Sequence, residues 1–264
     1  MNPSESTSNL SNYRLDLRYA GEPFYGWQRQ TDQLTVQGAI ENALTDYLDV
    51  MTAVAGSGRT DRGTHALGQV ASVTLPTGLD PEVLQEELNQ RLAPHIYIER
   101  IVGVPEDFHA RESATGKQYG YRIWNHQDLP DSQKNKVWYV PEALDVAAME
   151  AVLPYFVGEM DFSSFAKVPN YKRASAVRTI SAFTLTRDNH MLYFAITGNG
   201  FLYKMVRNII RAVVKVGEGR YTPERLQEII AAKSRQASPG TAPASGLYLE
   251  KVFYEDPLHY DPHP

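Results

Sequence analysis

The residues best suited to chemistry lie in one short segment, residues 56–65, with the sequence GSGRTDRGTH. Its three glycines permit tight turns and positive φ angles, which let a backbone approach a ligand closely. Its single carboxylate, Asp61, lies between two cations, Arg59 and Arg62. A positioned carboxylate can act as a nucleophile or in acid–base catalysis. The same residues also fit a solvated hairpin whose aspartate favours a turn.

The spacing in this segment excludes several familiar loops. The dinucleotide-binding pattern GxGxxG would need a glycine at Asp61, and the P-loop would need Gly-Lys-Ser/Thr. The nucleophile elbow GxSxG fails because Ala55 and Arg59 occupy the glycine positions around Ser57. The chemistry therefore centres on a carboxylate between cations and not on a phosphate loop or a serine.

No metal site is expected from the residues alone. The chain has no cysteine, which removes thiolate ligands, thiol nucleophiles and disulfides. Among seven histidines only His259 and His263 are four residues apart. Pro262 lies between them and disfavours a regular helix that would align them.

A second cationic feature lies in a predicted helix over residues 201–216. Lys204, Arg207, Arg211 and Lys215 are spaced by three, four and four residues, so they share one helical face. Such cations repel one another unless an anion compensates them, and RNA phosphate or Asp61 would serve. An ordinary amphipathic helix with a solvated cationic face is the alternative.

The charge of the chain is unevenly distributed. The total is −5, but residues 161–220 contain ten Lys/Arg and three acidic residues, a net charge of +7. Residues 1–160 carry −10 and the last forty-four carry −2. This asymmetry indicates a surface for a polyanion in the second half, or else a chance cluster. Tyr119 and Tyr121, at strand spacing, could stack on a base or pack in the core.

The elements that must position these residues predict an α+β fold with mainly antiparallel sheet. Alternation predicts strands at 13–20, 52–55, 69–75, 96–104, 115–124, 177–186, 191–197 and 247–254. Cap residues predict helices starting at Thr35, Asp80, Asp145 and Thr222, and the helix from Asp145 is expected to run to Phe156. We expect a disordered tail at 1–12, an N-terminal half at 13–112 carrying the Asp61 loop, and a C-terminal half at 113–264 carrying the basic face.

The composition bounds the class of protein. The chain has 264 residues, 42% of them apolar, enough for a sizeable core. No stretch of eighteen apolar residues predicts a membrane span, and the polar first twelve residues do not resemble a signal peptide. A cytoplasmic location is expected.

Eight ordered segments resemble the TruA family of tRNA pseudouridine synthases along nearly all of the chain. They are YGWQ at 25–28, GRTDRGTHA at 58–66, GQV at 68–70, FHAR at 108–111, KQYGY at 117–121, FSSF at 162–165, MVRN at 205–208 and APASGLYL at 242–249. Two positions depart from the family pattern. Arg62 replaces a frequent alanine, and the loop at 167–173 lacks a frequent cysteine. Both departures bear on RNA contacts more than on chemistry.

The resemblance implies a pseudouridine-synthase fold, with two α+β halves around a central cleft. It also implies a homodimer that grips tRNA and modifies uridines 38 to 40 of the anticodon stem-loop, with no cofactor or metal.

It further implies roles for individual residues. The target nucleotide would flip out of its stack, Arg59 would replace it, and Asp61 would be the nucleophile. Arg207 would keep Asp61 ionised, Tyr119 would stack on the uracil and assist proton transfer, and Leu247 would contact the base. The remaining expected RNA contacts are Arg62, Lys204, Arg211, Lys215 and Arg111. Attack at C1′ and proton abstraction to a glycal both stay open.

Two other classes are compatible with parts of the sequence. A non-catalytic RNA-binding protein could share the fold, but it would be expected to lack a carboxylate at position 61. A hydrolase using Asp61 would call for a second carboxylate nearby, whereas the loop supplies cations.

Overall fold

The structure is a computed structural model, and it describes residues 10–166 and 175–255. Its strands are β1 (Leu10–Tyr19), β2 (Val54–Gly56), β3 (His65–Pro76), β4 (Ile96–Val104), β5 (Ala114–Trp124), β6 (Trp138–Tyr139), β7 (Gly158–Asp161), β8 (Val177–Asp188), β9 (Met191–Gly198) and β10 (Leu247–Tyr254). Its α-helices are α1 (Val36–Leu48), α2 (Pro81–Leu92), α3 (Val146–Val152), α4 (Met205–Gly217) and α5 (Pro223–Ala231).

The strands form one sheet in the order β4-β1-β3-β10-β5-β9-β8-β7, with β2 added to β3 and β6 added to β5. Neighbouring strands are antiparallel except for two short parallel pairs, β3–β10 and β5–β6. Helices and strands do not alternate regularly along the chain. The predicted α+β class with mainly antiparallel sheet is therefore confirmed.

The C-terminal strand β10 joins the two halves. It lies between β3 of the N-terminal half and β5 of the C-terminal half. It pairs with β3 at Tyr248↔His65 and Leu249↔Ala66, and with β5 along most of its length. Both halves thus share one sheet. The boundary expected near residue 112 therefore divides the sequence but not the sheet.

Alternation and capping account for most elements. Tyr13, Leu15, Leu17 and Tyr19 are all buried, as the alternation predicted for β1. The Thr35 hydroxyl accepts the N–H of Gly38 at the start of α1, and Asp80 caps α2 ahead of Pro81. These caps satisfy amide groups that the first helical turn leaves without partners.

Three predicted boundaries were wrong. Strand β1 begins at Leu10, so residues 10–12 belong to the sheet and not to a tail. Helix α4 begins at Met205 and not at residue 201, because Lys204 has a left-handed backbone with φ of 60° and caps the helix. Helix α3 ends at Val152, and a 3₁₀ turn follows at Leu153–Phe156.

Other differences are additions. Strand β3 extends back to His65, and β7 was not predicted. Lys167, Lys172 and Arg173 of the basic stretch lie outside the described residues, as do residues 1–9 and the histidines at 259 and 263. Within the described ranges, no helix is long and apolar enough to cross a membrane.

The contact between β3 and β10 depends on the absence of a side chain at Gly68. A Cβ atom there would lie 2.2 Å from the backbone carbonyl oxygen of Glu250, so a strand would have to move. We predict that Gly68→Ala lowers the free energy of unfolding by about 2 kcal/mol or more.

Gly103→Ala on β4 is the matched control, because no atom lies within 4 Å of its added Cβ. It should change stability by less than about 0.5 kcal/mol. Denaturant unfolding of both variants measures the difference, and equal stabilities would show that β10 does not need this close approach.

Candidate active site

The loop between β2 and β3 is held rigidly by hydrogen bonds to buried residues. The Ser57 hydroxyl donates to Gln69 Oε1 at 2.7 Å, and the Gln69 amide donates to the Gly58 carbonyl at 3.0 Å. The hydroxyl groups of Tyr19 and Thr60 are 2.8 Å apart. Because Gln69 and Thr60 are buried, these bonds are shielded from water and fix the loop to the sheet.

Asp61 is the first residue of a turn in this loop. The Thr64 N–H donates to the Asp61 carbonyl at 3.0 Å, and Gly63 adopts a positive φ of 77°. The Trp27 N–H binds the Thr60 carbonyl at 3.1 Å. Gly26 lets this segment approach, since a Cβ there would lie 2.6 Å from the Thr60 carbonyl oxygen. The turn therefore gives the carboxylate a defined direction.

Asp61 forms an ion pair with Arg207 at the start of α4. Arg207 Nη1 lies 2.5 Å from Asp61 Oδ2, and the two side chains are 13% and 18% exposed. Arg207 Nε donates to the Ala242 carbonyl at 2.7 Å, and the Ala242 N–H donates back to the Arg207 carbonyl at 3.2 Å. Three distant segments thus meet at one carboxylate: the loop, α4 and the chain before β10.

The two tyrosines of β5 differ in what their rings can reach. Tyr121 is fully buried and donates to the Pro243 carbonyl at 2.8 Å, so it belongs to the core. Tyr119 is 8% exposed, and its ring meets Phe201 edge-on with centroids 5.2 Å apart. Burial, with smaller contributions from Tyr19 and Asp61, raises the pKa of Tyr119 well above its usual range. Its phenol therefore stays protonated at neutral pH.

The cations of the loop and its surroundings are accessible. Arg59, Arg62 and Arg111 are exposed, and the Arg62 guanidinium lies over the Tyr25 ring at 4.1 Å. Lys204 is partly exposed at the helix cap, with its ammonium 5.0 Å from the Tyr203 ring centroid. Such positions leave these cations available to an anion in solution.

At the far end of the predicted cationic face, the cations are already paired with a carboxylate. Lys215 is buried and its ammonium lies 2.7 Å from Glu218 Oε2, while Arg211 reaches Glu218 Oε1 at 3.3 Å. Glu218 also pairs with Arg220. The structure therefore does not expose Lys215 to RNA, because a carboxylate already compensates it. The three-residue spacing of Lys215 and Glu218 was the signal available in the sequence.

Two further residues belong to the site region. Leu247 is 7% exposed at the first position of β10, directly opposite Tyr121. Phe201, taken from the sequence as part of a helix, precedes α4 and packs on Tyr119.

His65 anchors the end of the loop. Its Nδ1 accepts the Gly21 N–H at 3.1 Å, and its Nε2 lies 2.9 Å from the Asn135 carbonyl. Since a carbonyl only accepts, Nε2 carries the proton and the ring is neutral. The ring stacks on Tyr248 with centroids 4.6 Å apart. Burial lowers the pKa of His65. The described residues include no group of three His, Asp or Glu side chains suited to a metal.

The structure thus combines a mainly antiparallel α+β fold with a loop carboxylate paired to an arginine, as the resemblance to pseudouridine synthases implied. A family model described as tRNA pseudouridine synthase matches residues 17–111 and 152–255. The chain belongs to the tRNA pseudouridine synthase family, whose members are isomerases.

Relatives with the same family name match this chain over nearly the full length of both proteins. The chain is 38% identical over 242 residues to tRNA pseudouridine synthase A of Methylacidiphilum infernorum, covering 92% of this chain and 95% of that protein. It is 40% identical over 245 residues to tRNA pseudouridine synthase A of Caldicellulosiruptor saccharolyticus, covering 93% and 100%. Among solved structures, the archaeal box H/ACA Nop10–Cbf5 complex aligns with a TM-score of 0.37 at 14% identity, covering 86% of this chain and 58% of that one.

His65 makes stability dependent on pH. Its folded-state pKa is lowered, so the unfolded chain takes up this proton first as the pH falls below the ordinary value of about 6.5. The contribution of His65 is complete above that value and is lost on acidification, at up to about 1.4 kcal/mol per pH unit.

We predict that His65→Asn loses less stability than wild type between pH 7.5 and pH 5.5, even if it begins less stable. Charged neighbours at this site are Arg122, Lys136 and Glu22. Denaturant unfolding at both pH values gives the comparison, and parallel losses in the two proteins would remove His65 as the source.

Proposed function

We propose that this enzyme converts uridine to pseudouridine at positions 38 to 40 of the tRNA anticodon stem-loop, with Asp61 as the nucleophile. The observation that carries the proposal is the Asp61–Arg207 ion pair, formed where the rigid loop begins its turn. It provides a carboxylate with a fixed direction, whose side chain is 18% exposed. The position in the tRNA rests on the family resemblance.

The reaction exchanges one glycosidic bond for another. The N1–C1′ bond breaks, a C5–C1′ bond forms, the C5 proton leaves and N1 gains a proton, so the product is an isomer. Asp61 would begin this exchange either by attacking C1′ or by abstracting a sugar proton to give a glycal. Both routes require an ionised carboxylate, and the Arg207 guanidinium stabilises that form.

The nucleotide must leave its stack before Asp61 can reach the sugar. Flipping costs a few kcal/mol, and a cation that takes the place of the base offsets part of that cost. Arg59 is exposed and lies two residues before Asp61, so its side chain is free to extend into the vacated stack.

Tyr119 and Leu247 would form the two walls that hold the flipped uracil. The Tyr119 ring is fixed by Phe201, and its phenol stays protonated because burial raises its pKa. A neutral phenol beside Asp61 can donate a hydrogen bond or relay a proton without adding a second negative charge. Leu247 offers an apolar contact close to the same strand.

RNA phosphates would bind the accessible cations Arg62, Arg111 and Lys204. Arg211 stays in the proposal because its side chain is 25% exposed although it also pairs with Glu218. Lys215 is no longer part of this proposal, since Glu218 compensates its charge. A homodimer and a cytoplasmic location are proposed on the family resemblance and the sequence composition.

The competing hydrolase function lacks support at this site. A carboxylate pair would be needed for acid and base roles, but among the described residues Asp61 has a guanidinium as its ionic partner. A binding protein without catalysis differs from the proposed enzyme only in activity, and the following experiment separates them.

Asp61→Asn should abolish isomerisation while it preserves folding and most tRNA affinity. The amide keeps the shape of the side chain but removes the nucleophilic charge. We expect the rate to fall by at least about a thousandfold. Tritium release from tRNA labelled at uracil C5 measures the reaction, because that hydrogen leaves during isomerisation.

Asp46→Asn, at an exposed position of α1, is the matched control and should keep full activity. Turnover by Asp61→Asn within about tenfold of wild type would sink the assignment of Asp61 as nucleophile. Wild-type binding to tRNA with no tritium release would support the non-catalytic alternative.

Arg207 should act on chemistry more than on affinity. Arg207→Met keeps bulk but leaves Asp61 without its cation in a partly dry site, which is costly. We expect the single-turnover rate to fall by about a hundredfold or more, with tRNA affinity within about threefold of wild type. Arg207→Lys should recover only part of the rate, because lysine cannot bind both Asp61 and the Ala242 carbonyl with a planar fork.

Arg225→Met on α5 removes an exposed guanidinium that pairs with Glu228, and it should change neither quantity. A loss of affinity in Arg207→Met with an unchanged single-turnover rate would instead make Arg207 a phosphate contact.

A further inference from the structure

Lys117 lies beside the proposed active site, and the mechanism above gives it no role. It lies on β5 two residues before Tyr119, so both side chains project from the same face of the sheet. Its stem crosses the catalytic loop at Gly58, where an added Cβ would lie 3.3 Å from Lys117 Cε. On its other side, Lys117 is opposite Gly198 on β9. The Phe201 ring covers Gly198, since a Cβ there would lie 3.3 Å from Phe201 Cζ.

The ammonium group of Lys117 is electrostatically unusual. It is only partly exposed, yet among the described residues it forms no ion pair and no hydrogen bond. Burial, followed by the charge of Arg111, lowers the pKa of Lys117. Lys215 and Arg14, which are more deeply buried, each have a carboxylate partner.

A half-buried ammonium without a carboxylate lowers the stability of the folded protein unless something else compensates it. The neighbouring charge is Arg111, a second cation, which increases the repulsion. Two neighbouring cations, neither of which forms an ion pair with a carboxylate among the described residues, can form a site for an anion. In a tRNA-modifying enzyme the abundant anion is the phosphodiester.

We propose that Lys117 and Arg111 form a phosphodiester subsite that holds the backbone phosphate beside the flipped uridine. This inference rests on the proposed function. The phosphate would lie between Gly58, three residues from Asp61, and the Tyr119 wall, which is where the backbone of a flipped nucleotide must pivot. Lys117 supplies a compact charge with three donors, and Arg111 approaches from the exposed rim.

Gly58 has a purpose in this arrangement. A larger side chain at residue 58 would press on the Lys117 stem and displace its ammonium. The glycine therefore leaves room for the Lys117 stem. The apolar stem of Lys117 lies along the loop, while its charged end remains near the cleft, as is common for partly buried lysines.

The test combines a protein change with a substrate change. tRNA is assembled with a single neutral methylphosphonate at the linkage on the 5′ or the 3′ side of the target uridine. Binding and single-turnover rate are measured for wild type, Lys117→Met and Lys117→Arg. Lys134→Met is the matched control, since Lys134 is exposed and pairs with Asp131.

We expect Lys117→Met to weaken tRNA binding by about five- to tenfold and to reduce the salt slope by about one unit. One methylphosphonate should weaken wild-type binding similarly. Combined with Lys117→Met, that methylphosphonate should cost nothing further, because both changes remove the same contact. Lys117→Arg should retain most of the affinity and the full sensitivity to the methylphosphonate, which also shows that the fold tolerates changes at residue 117.

Other outcomes are decisive. If wild type isomerises tRNA but the losses from Lys117→Met and from each methylphosphonate multiply, the subsite is wrong while the proposed function survives. If Lys117→Met slows the single-turnover step at saturating tRNA without weakening binding, Lys117 acts on the base and not on a phosphate. If wild type does not isomerise tRNA at all, the proposed function itself fails.

Discussion

The site depends on one ion pair, the Asp61 carboxylate with the Arg207 guanidinium, because it connects parts of the chain that are distant in sequence. The two residues are 146 positions apart and lie on different halves. Arg207 is aligned in turn by the Ala242 carbonyl, just before the strand that joins those halves. A carboxylate that is mostly removed from water needs a compensating cation. The pair therefore holds the two halves together at the residues to which we assign the chemistry.

The position of β10 makes that ion pair possible. A sheet that ended separately in each half would leave Asp61 and Arg207 free to move relative to each other. Because β10 is hydrogen-bonded to β3 and to β5, the loop before β3 and the tyrosine strand share one rigid frame. His65 strengthens the frame at its weakest place, since only two residue pairs join β3 to β10 and one of them includes His65. Its stacking on Tyr248 covers the pairing on one face.

Local patterns predicted local structure well, and long-range pairing was beyond them. The alternation of β1, the caps Thr35 and Asp80, and the glycine-rich loop with Asp61 are all determined by neighbouring residues. The partner of Lys215 illustrates the limit, because helical spacing shows which residues share a face but not what covers that face. The left-handed backbone of Lys204 likewise shortened a helix that its sequence allowed to start earlier. The placement of β10 between two other strands depends on the whole sheet, so no segment of sequence contains it.

The acidic total charge does not oppose an RNA partner, because the cations differ in whether a nearby carboxylate compensates them. Arg14, Arg29 and Lys215 are compensated by nearby carboxylates and contribute little field. Within the described ranges, the cations around the cleft form no such ion pairs; they are Arg59, Arg62, Arg111, Lys117 and Lys204. At physiological salt a charge is screened beyond about 8 Å, so a phosphate in the cleft responds to these cations and not to distant acids. The local pairing of charges, more than their sum, therefore determines which surface of this enzyme attracts a polyanion.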